Sequence, residues 1–359
     1  MESANIKRRR RGLAAGAIAS VFALMIAACG GAASPSTQPA TPGASSTASA
    51  AADKPLLVAI NRGATAQYFI DLQTAFRAEV EKLGGTANAY DAKEDQNLTI
   101  SLMNDAISAG AKGIAVTAQT SDLGPALAKI AQDAGVAYVA TDVTQKDSSG
   151  NAVPFVGFDG TAMGTAVGNE VVKLLEAAGW STDASKKVGV LSVEAQLISV
   201  CEERTNTSKD ILKQAGFPAS NIFQVPYDGS TASGQTAAGP VITAHPDVTH
   251  WVIFSCNDEG VLGAINALNT AGAKAENIIG VGIGAYEACK PWTANQPSGF
   301  KSALFISGLD VGKAAADALW DNVVNGKPLP AMTIANTTMV DPTNYAQVLD
   351  SVSLDNCNK

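Results

Sequence analysis

A chain of 359 residues, 46% of them hydrophobic and 16% charged, is long enough to bury two cores. Its formal net charge of −8 makes it a poor partner for nucleic acid or an anionic membrane surface, and nucleic acid is excluded.

Lys7 to Arg11 form a basic run, Leu13 to Ile26 an apolar one, and Ala27-Ala28-Cys29 follows. This pattern reads as a signal peptide over residues 1–28, too short in its apolar part to span a bilayer. Small residues before a cysteine resemble a bacterial lipobox, which makes Cys29 the acylated first residue of an exported, membrane-anchored protein. Losing five basic residues and one acid with the leader takes the formal charge from −8 to −12. Residues 29–53 are almost wholly Ser, Thr, Ala, Pro and Gly and read as a flexible tether.

Beyond Lys54 strands and helices alternate. Strands are expected at Leu56–Asn61, Thr86–Tyr90, Gly113–Thr117 and Ala137–Thr141. Helices are expected where Phe69, Leu72, Phe76, Val80 and Leu83 recur, from Leu98 to Ala109, and from Leu123 to Ala134. After a crossing segment, Val153–Phe158, and a helix over Thr161–Ala178, the pattern restarts. Strands Val188–Ser192, Ile222–Pro226, Trp251–Ser255, Ile278–Ile283 and Lys301–Ile306 alternate with four helices. A helix over Val311–Val324, a strand over Met332–Thr337 and an extended tail complete the chain. Two βα series imply an α/β fold of two doubly wound parallel-sheet domains, with ligand at the carboxyl ends of the strands. At one such end Asp258 reads as a helix N-cap, and Asn257 as an amide that faces ligand or itself caps the helix.

The run from Cys201 to Ile283 resembles the L-arabinose-binding branch of the type I periplasmic sugar-binding proteins. The resemblance is carried by Arg204-Thr205, by the residues from Asp210 to Pro218, by Ile222 to Pro226 and by His245 to Trp251. Asn257-Asp258, Val261-Leu262-Gly263 and Ile278 to Ile283 continue it, and Arg62, Tyr68-Phe69 and Ala111-Lys112-Gly113 extend it more loosely into the first half. It implies lobes of residues 54–157 plus 307–336 and 158–306 plus 337–359, joined by a three-stranded hinge that closes over ligand. It also implies the substrate-binding lipoprotein of an ABC importer, a monomer without cofactor or metal, whose partners are a small polyhydroxylated ligand and the permease subunits.

Site residues follow from the resemblance one at a time. Arg204 falls at the cleft arginine, Asn257 at the cleft asparagine and Asp142 at a cleft carboxylate. Arg62 stands at a basic position, and Tyr68, followed by Phe69, replaces an aromatic that stacks on sugar; Ser307 completes the ligand set. The competing roles are an ion pair of Arg204 with Glu202 or Glu203, helix capping by Asp142, and core packing by Tyr68 and Phe69. The sequence departs from the arabinose-binding pattern at Ala66, Thr141 and Gly284, with Glu287 one turn later placed to compensate. These departures point to a compact polyol of four to six carbons, away from L-arabinose itself: an alditol such as xylitol or threitol, or a pentose, with an aldohexose as the alternative.

Without Cys29, four cysteines remain, in three possible connectivities and with no metal-ligand spacing. Cys201 and Cys256 follow strands expected to be neighbours, so Cys201–Cys256 with Cys289–Cys357 is preferred, four buried thiols being the alternative. Gly280-Val281-Gly282-Ile283-Gly284-Ala285 matches a dinucleotide fingerprint, but its first glycines lie inside a strand and no acidic strand end follows. No nucleophile–base pair is visible, so an enzyme is not expected. A sugar-responsive repressor shares the fold but lacks a leader. A sensor presenting an aldopentose or aldohexose to a chemoreceptor or signalling partner would use the same cleft.

Overall fold

A computed structural model describes residues 54–180, 183 and 185–359; the leader, Cys29 and the tether lie outside the described residues. The first βα series runs β1 (Leu56–Asn61), α1 (Gln67–Lys82), β2 (Thr86–Asp91), α2 (Gln96–Ser108), β3 (Gly113–Val116), α3 (Gly124–Ala134), β4 (Ala137–Thr141) and β5 (Phe155–Gly157). The second runs α4 (Gly160–Ala177), β6 (Val188–Glu194), α5 (Ser199–Gln214), β7 (Ile222–Pro226), α6 (Thr231–Ala244), β8 (His250–Ser255), α7 (Asp258–Thr270), β9 (Ile278–Gly284), α8 (Cys289–Thr293) and β10 (Phe300–Ile306). Then come α9 (Gly308–Val323), β11 (Met332–Ile334), β12 (Thr337–Val340), α10 (Tyr345–Val348) and α11 (Ser351–Cys357).

These strands are short apolar runs because both of their faces are covered by helices. Every residue of β6 and β9 is buried, and so are five of the six in β8. Helix ends follow local chemistry. Asp95 caps α2 by accepting from the Asn97 and Leu98 amides, and α3 stops at Gly135, whose φ of 64° suits a residue without a Cβ.

Among the described residues the strands form two six-stranded sheets, ordered β11-β5-β4-β3-β1-β2 and β12-β10-β9-β8-β6-β7. The first is wholly parallel; in the second, β12 runs antiparallel to β10. The chain crosses between sheets after β5, after β10 and after β11. The expected strand over Met332–Thr337 is two strands. Ala335 N–H donates to Gly157 O, ending β11 on the first sheet, and Thr337 pairs with Ile306 on the second.

The tail is not extended. Asp350 caps α11 through the Ser353 amide, and a disulfide from Cys357 to Cys289 ties that helix to α8, with Cα atoms 5.3 Å apart. A second disulfide joins Cys201 to Cys256, with Cα atoms 4.7 Å apart. One buried apolar cluster includes Leu72 and Phe76 of α1, Tyr68, Phe158, Tyr286 and Ile306, and Val252 and Phe254 of β8, so both lobes share a core beneath the crossovers.

Candidate functional site

The carboxyl ends of the strands in both sheets face a cavity of about 550 Å³, within the usual range for a small-molecule site. Arg62, Tyr68, Phe69 and Asp142 line it from the first lobe, and Arg204 and Asn257 from the second.

On the first bank, β4 delivers Asp142 in a left-handed backbone conformation, φ 65°, which aspartate tolerates better than most residues. Tyr68, at the start of α1, donates its hydroxyl to Asp142 Oδ1 at 2.9 Å. Burial pushes both groups above their usual pKa, the Tyr68 hydroxyl most; Arg204 and the Tyr68 bond pull Asp142 back down. Phe69 sets its ring edge-on to Tyr68, centroids 5.2 Å apart, leaving an aromatic wall beside the carboxylate. Arg62 does not point free into the cavity. Its Nη2 pairs with Glu94 Oε2 at 2.8 Å and its Nε donates to both oxygens of the same carboxylate.

On the second bank, Arg204 lies in the second turn of α5 and is 6% exposed. Its Nη1 donates to Cys256 O at 2.9 Å, while its Nε has no partner. Burial lowers its pKa, with Asp142 across the cavity opposing that shift. No ion pair with Glu202 or Glu203 forms. Asn257, not Asp258, is the N-cap of α7. Its Oδ1 accepts from the Gly260 amide at 3.1 Å and the Tyr227 hydroxyl at 2.7 Å, and Nδ2 donates to Gly229 O at 3.0 Å. The cap and the cavity wall are therefore the same side chain, with one Nδ2 proton still to give.

Asp258 instead turns inward. Its Oδ2 accepts from the Glu287 and Ala288 amides, and its Oδ1 lies where a Cβ on Gly282 would collide with it. The glycines of the fingerprint-like run thus make room for a neighbouring carboxylate and for Val261, and nothing in them cradles a phosphate.

Two expected positions do not reach the cavity. Glu287 bonds Lys290 at 2.7 Å, a helical neighbour three residues on, so it cannot replace the side chain missing at Gly284. Ser307 caps α9 by accepting from the Asp310 amide and is not among the residues lining the cavity. Thr141 also faces inward, in a buried chain with Thr117 and Asn61. Sequence reasoning missed Tyr227, Glu94 and Glu259, all of which line the cavity. Tyr227 directly follows β7, so the strand-end rule applied to Asn257 points to it as well. Glu259, in the first turn of α7, is pushed up to about 7 by burial and by Asp258 beside it. Among the described residues no group of His, Cys, Asp and Glu is arranged to hold a metal ion.

The family description "periplasmic binding protein domain" matches residues 57–328. The chain is 30% identical over 268 residues to the L-arabinose-binding periplasmic protein of Escherichia coli K12, spanning 73% of this chain and 80% of that one. It is 30% identical over 289 residues to the ABC transporter L-arabinose-binding periplasmic protein of Azospirillum brasilense, spanning 78% and 84%. In fold it is similar to the Caulobacter myo-inositol binding protein, with a TM-score of 0.71 at 21% identity over 84% of this chain and 97% of that one.

Proposed function

The chain belongs to the type I periplasmic sugar-binding proteins, and on that premise we propose that it is the exported sugar-binding component of an ABC importer. The observation that supports this most directly is the placement of Asp142 and Tyr68 opposite Arg204 and Asn257 across one cavity. Carboxylate and amide oxygens accept from hydroxyls while guanidinium and amide nitrogens donate to them, and the Tyr68–Phe69 wall takes a C–H face. Bound ligand stabilises the closed arrangement of the lobes that the permease recognises. No bond in the ligand is made or broken.

The ligand is a compact polyol of four to six carbons, an alditol such as xylitol or threitol, or a pentose. Ala66 and Gly284 line the cavity without polar side chains, which supports a ligand with fewer fixed contacts than L-arabinose. Calorimetric titration of the mature protein with xylitol, arabinitol, threitol, xylose and L-arabinose decides between them. Tight L-arabinose binding without an alditol response removes the alditol reading; no binding by any of the five removes the sugar reading. The anchor is the acylated Cys29. Cys29→Ala expressed in the native host should leave the membrane fraction, and a variant that stays there would place the anchor elsewhere.

A further inference from the structure

We propose that the Cys201–Cys256 disulfide is a positioning element of the ligand site, holding Arg204 and Asn257 in register with each other; this rests on the function proposed above. Strands β6 and β8 are parallel neighbours whose pairing ends at Val193 and Ser255. The helices that follow them separate. Leu212 of α5 shares a buried cluster with α4, whereas only the first turn of α5, at Val200 and Cys201, shares a cluster with Val261 and Leu268 of α7 and Ala238 and Ile242 of α6. Beyond the last ladder bond, backbone pairing no longer fixes how the two ligand-bearing turns lie.

The start of α5 is poorly anchored by local means. Its N-cap position is Ile198, which offers no side-chain acceptor, and the buried Ser199 hydroxyl has no partner. The preceding loop carries Leu197 at 87% exposure and so gains little from burial. A helix end of this kind frays unless something outside the helix holds it. Cys201 sits in that first turn, and its bond to Cys256 adds a covalent anchor to the burial of Val200 beside it. One turn further along the same helix face, Arg204 donates to the carbonyl of Cys256. Covalent bond and hydrogen bond thus land on one residue, directly before Asn257. Both cysteines themselves line the cavity, whereas Cys289 and Cys357 do not.

Three variants test this: Cys201→Ser with Cys256→Ser, the same pair changed to Ala, and Cys289→Ser with Cys357→Ser as the remote comparison. Amide exchange is read first, at a temperature where each protein is folded. Opening the cavity disulfide should accelerate exchange at residues 199–206 and at the capped Gly260 amide, leaving the strand amides of β6 and β8 unchanged. The remote pair should not. Dithiothreitol on the Cys289→Ser, Cys357→Ser variant opens the cavity disulfide alone: the S–S bond breaks, each sulfur takes one electron and one proton, and the dithiol closes to its cyclic disulfide. Xylitol and L-arabinose affinity should fall about tenfold or more in the first two variants and stay within twofold in the third. Unchanged exchange at residues 199–206 and Gly260 overturns the proposal, as does parental affinity in both cavity variants. A parent that binds none of the five ligands titrated above defeats the sugar-binding reading by itself, and the exchange rates still decide the positioning role.

Discussion

The two banks of the cavity are built differently. On the first, polar side chains hold one another: Arg62 with Glu94, and Tyr68 with Asp142. On the second they hold mainly backbone: Arg204 on Cys256 O, and Asn257 on Gly229 O and the Gly260 amide beside one side-chain bond from Tyr227, with a disulfide beneath. A side chain bonded to another side chain can exchange that partner for a ligand hydroxyl at small net cost, since one charge-assisted bond replaces another. A side chain bonded to backbone at a strand end keeps its place whether or not ligand is present. The second lobe is thus the fixed template, and the first lobe is the bank that adapts. Both disulfides among the described residues lie in the second lobe, in keeping with that division.

The largest expected effect separates stability from template. Cys289–Cys357 closes a long loop, with a sequence separation of 68, and pins α11 to α8, and neither cysteine lines the cavity. Removing it by Cys289→Ser with Cys357→Ser should cost about 2–4 kcal/mol in chemical denaturation. Sugar affinity in calorimetry should remain at the parental value. A large affinity loss would show that the second lobe transmits strain from its tail to its site, and the template would be less fixed than argued.

Next comes the template itself. Arg204→Ala should cost about 1–3 kcal/mol of binding, because ligand oxygens lose a buried donor and the Asp142 carboxylate loses the positive charge across the cavity. The loss of fold stability should be smaller, since the variant also removes a buried Nε that has no partner. Parental affinity in calorimetry would take Arg204 out of the site.

Reading this site from sequence succeeded where a residue's place depends on the strand preceding it. Asp142 stands one residue beyond β4 and Asn257 two beyond β8, so strand recognition was enough to bring them to the cavity. It failed where one side chain chooses among several neighbours. Ser307 also follows a strand, but it caps α9 and does not line the cavity. Glu287 prefers Lys290, a neighbour three residues along, to an empty position at Gly284. The α11 helix was hidden for a related reason. Its apolar pattern is weak, and it is held by a disulfide partner 68 residues away. The fold, which rests on repeated buried strands, was far more legible than these single choices.

A smaller effect concerns charge on the template side. Burial pushes Glu259 up to about 7 and Asp258 up to about 6. The folded chain therefore keeps protons that the unfolded chain releases between about pH 4 and 7. More protons bound when folded means that stability falls as pH rises through that window. Glu259→Gln should flatten the decline by on the order of 1 kcal/mol between pH 4.5 and 7.5. Urea midpoints at the two pH values measure it. A variant whose midpoints change with pH as steeply as the parent's would show that Glu259 stays ionised and finds a partner in the cavity.

The smallest effect tests the adaptable bank. Arg62 is well covered while Glu94 is half-exposed, their side chains 15% and 49% accessible, so water screens one end of the pair. Such pairs contribute about 0–1 kcal/mol to folding. Lys93 and Glu94 both adopt left-handed backbone conformations, φ 52° and 58°, so the loop presenting the carboxylate is itself held at some cost. Glu94→Gln should therefore change stability by less than about 1 kcal/mol. It also frees the Arg62 guanidinium to turn toward ligand, so affinity should hold or rise by a few-fold, and its dependence on salt should weaken. Titrations at low and high ionic strength read both quantities. If Glu94→Gln instead loses affinity as heavily as Arg204→Ala, the Arg62–Glu94 pair is a fixed part of the site, and the contrast between the two banks disappears.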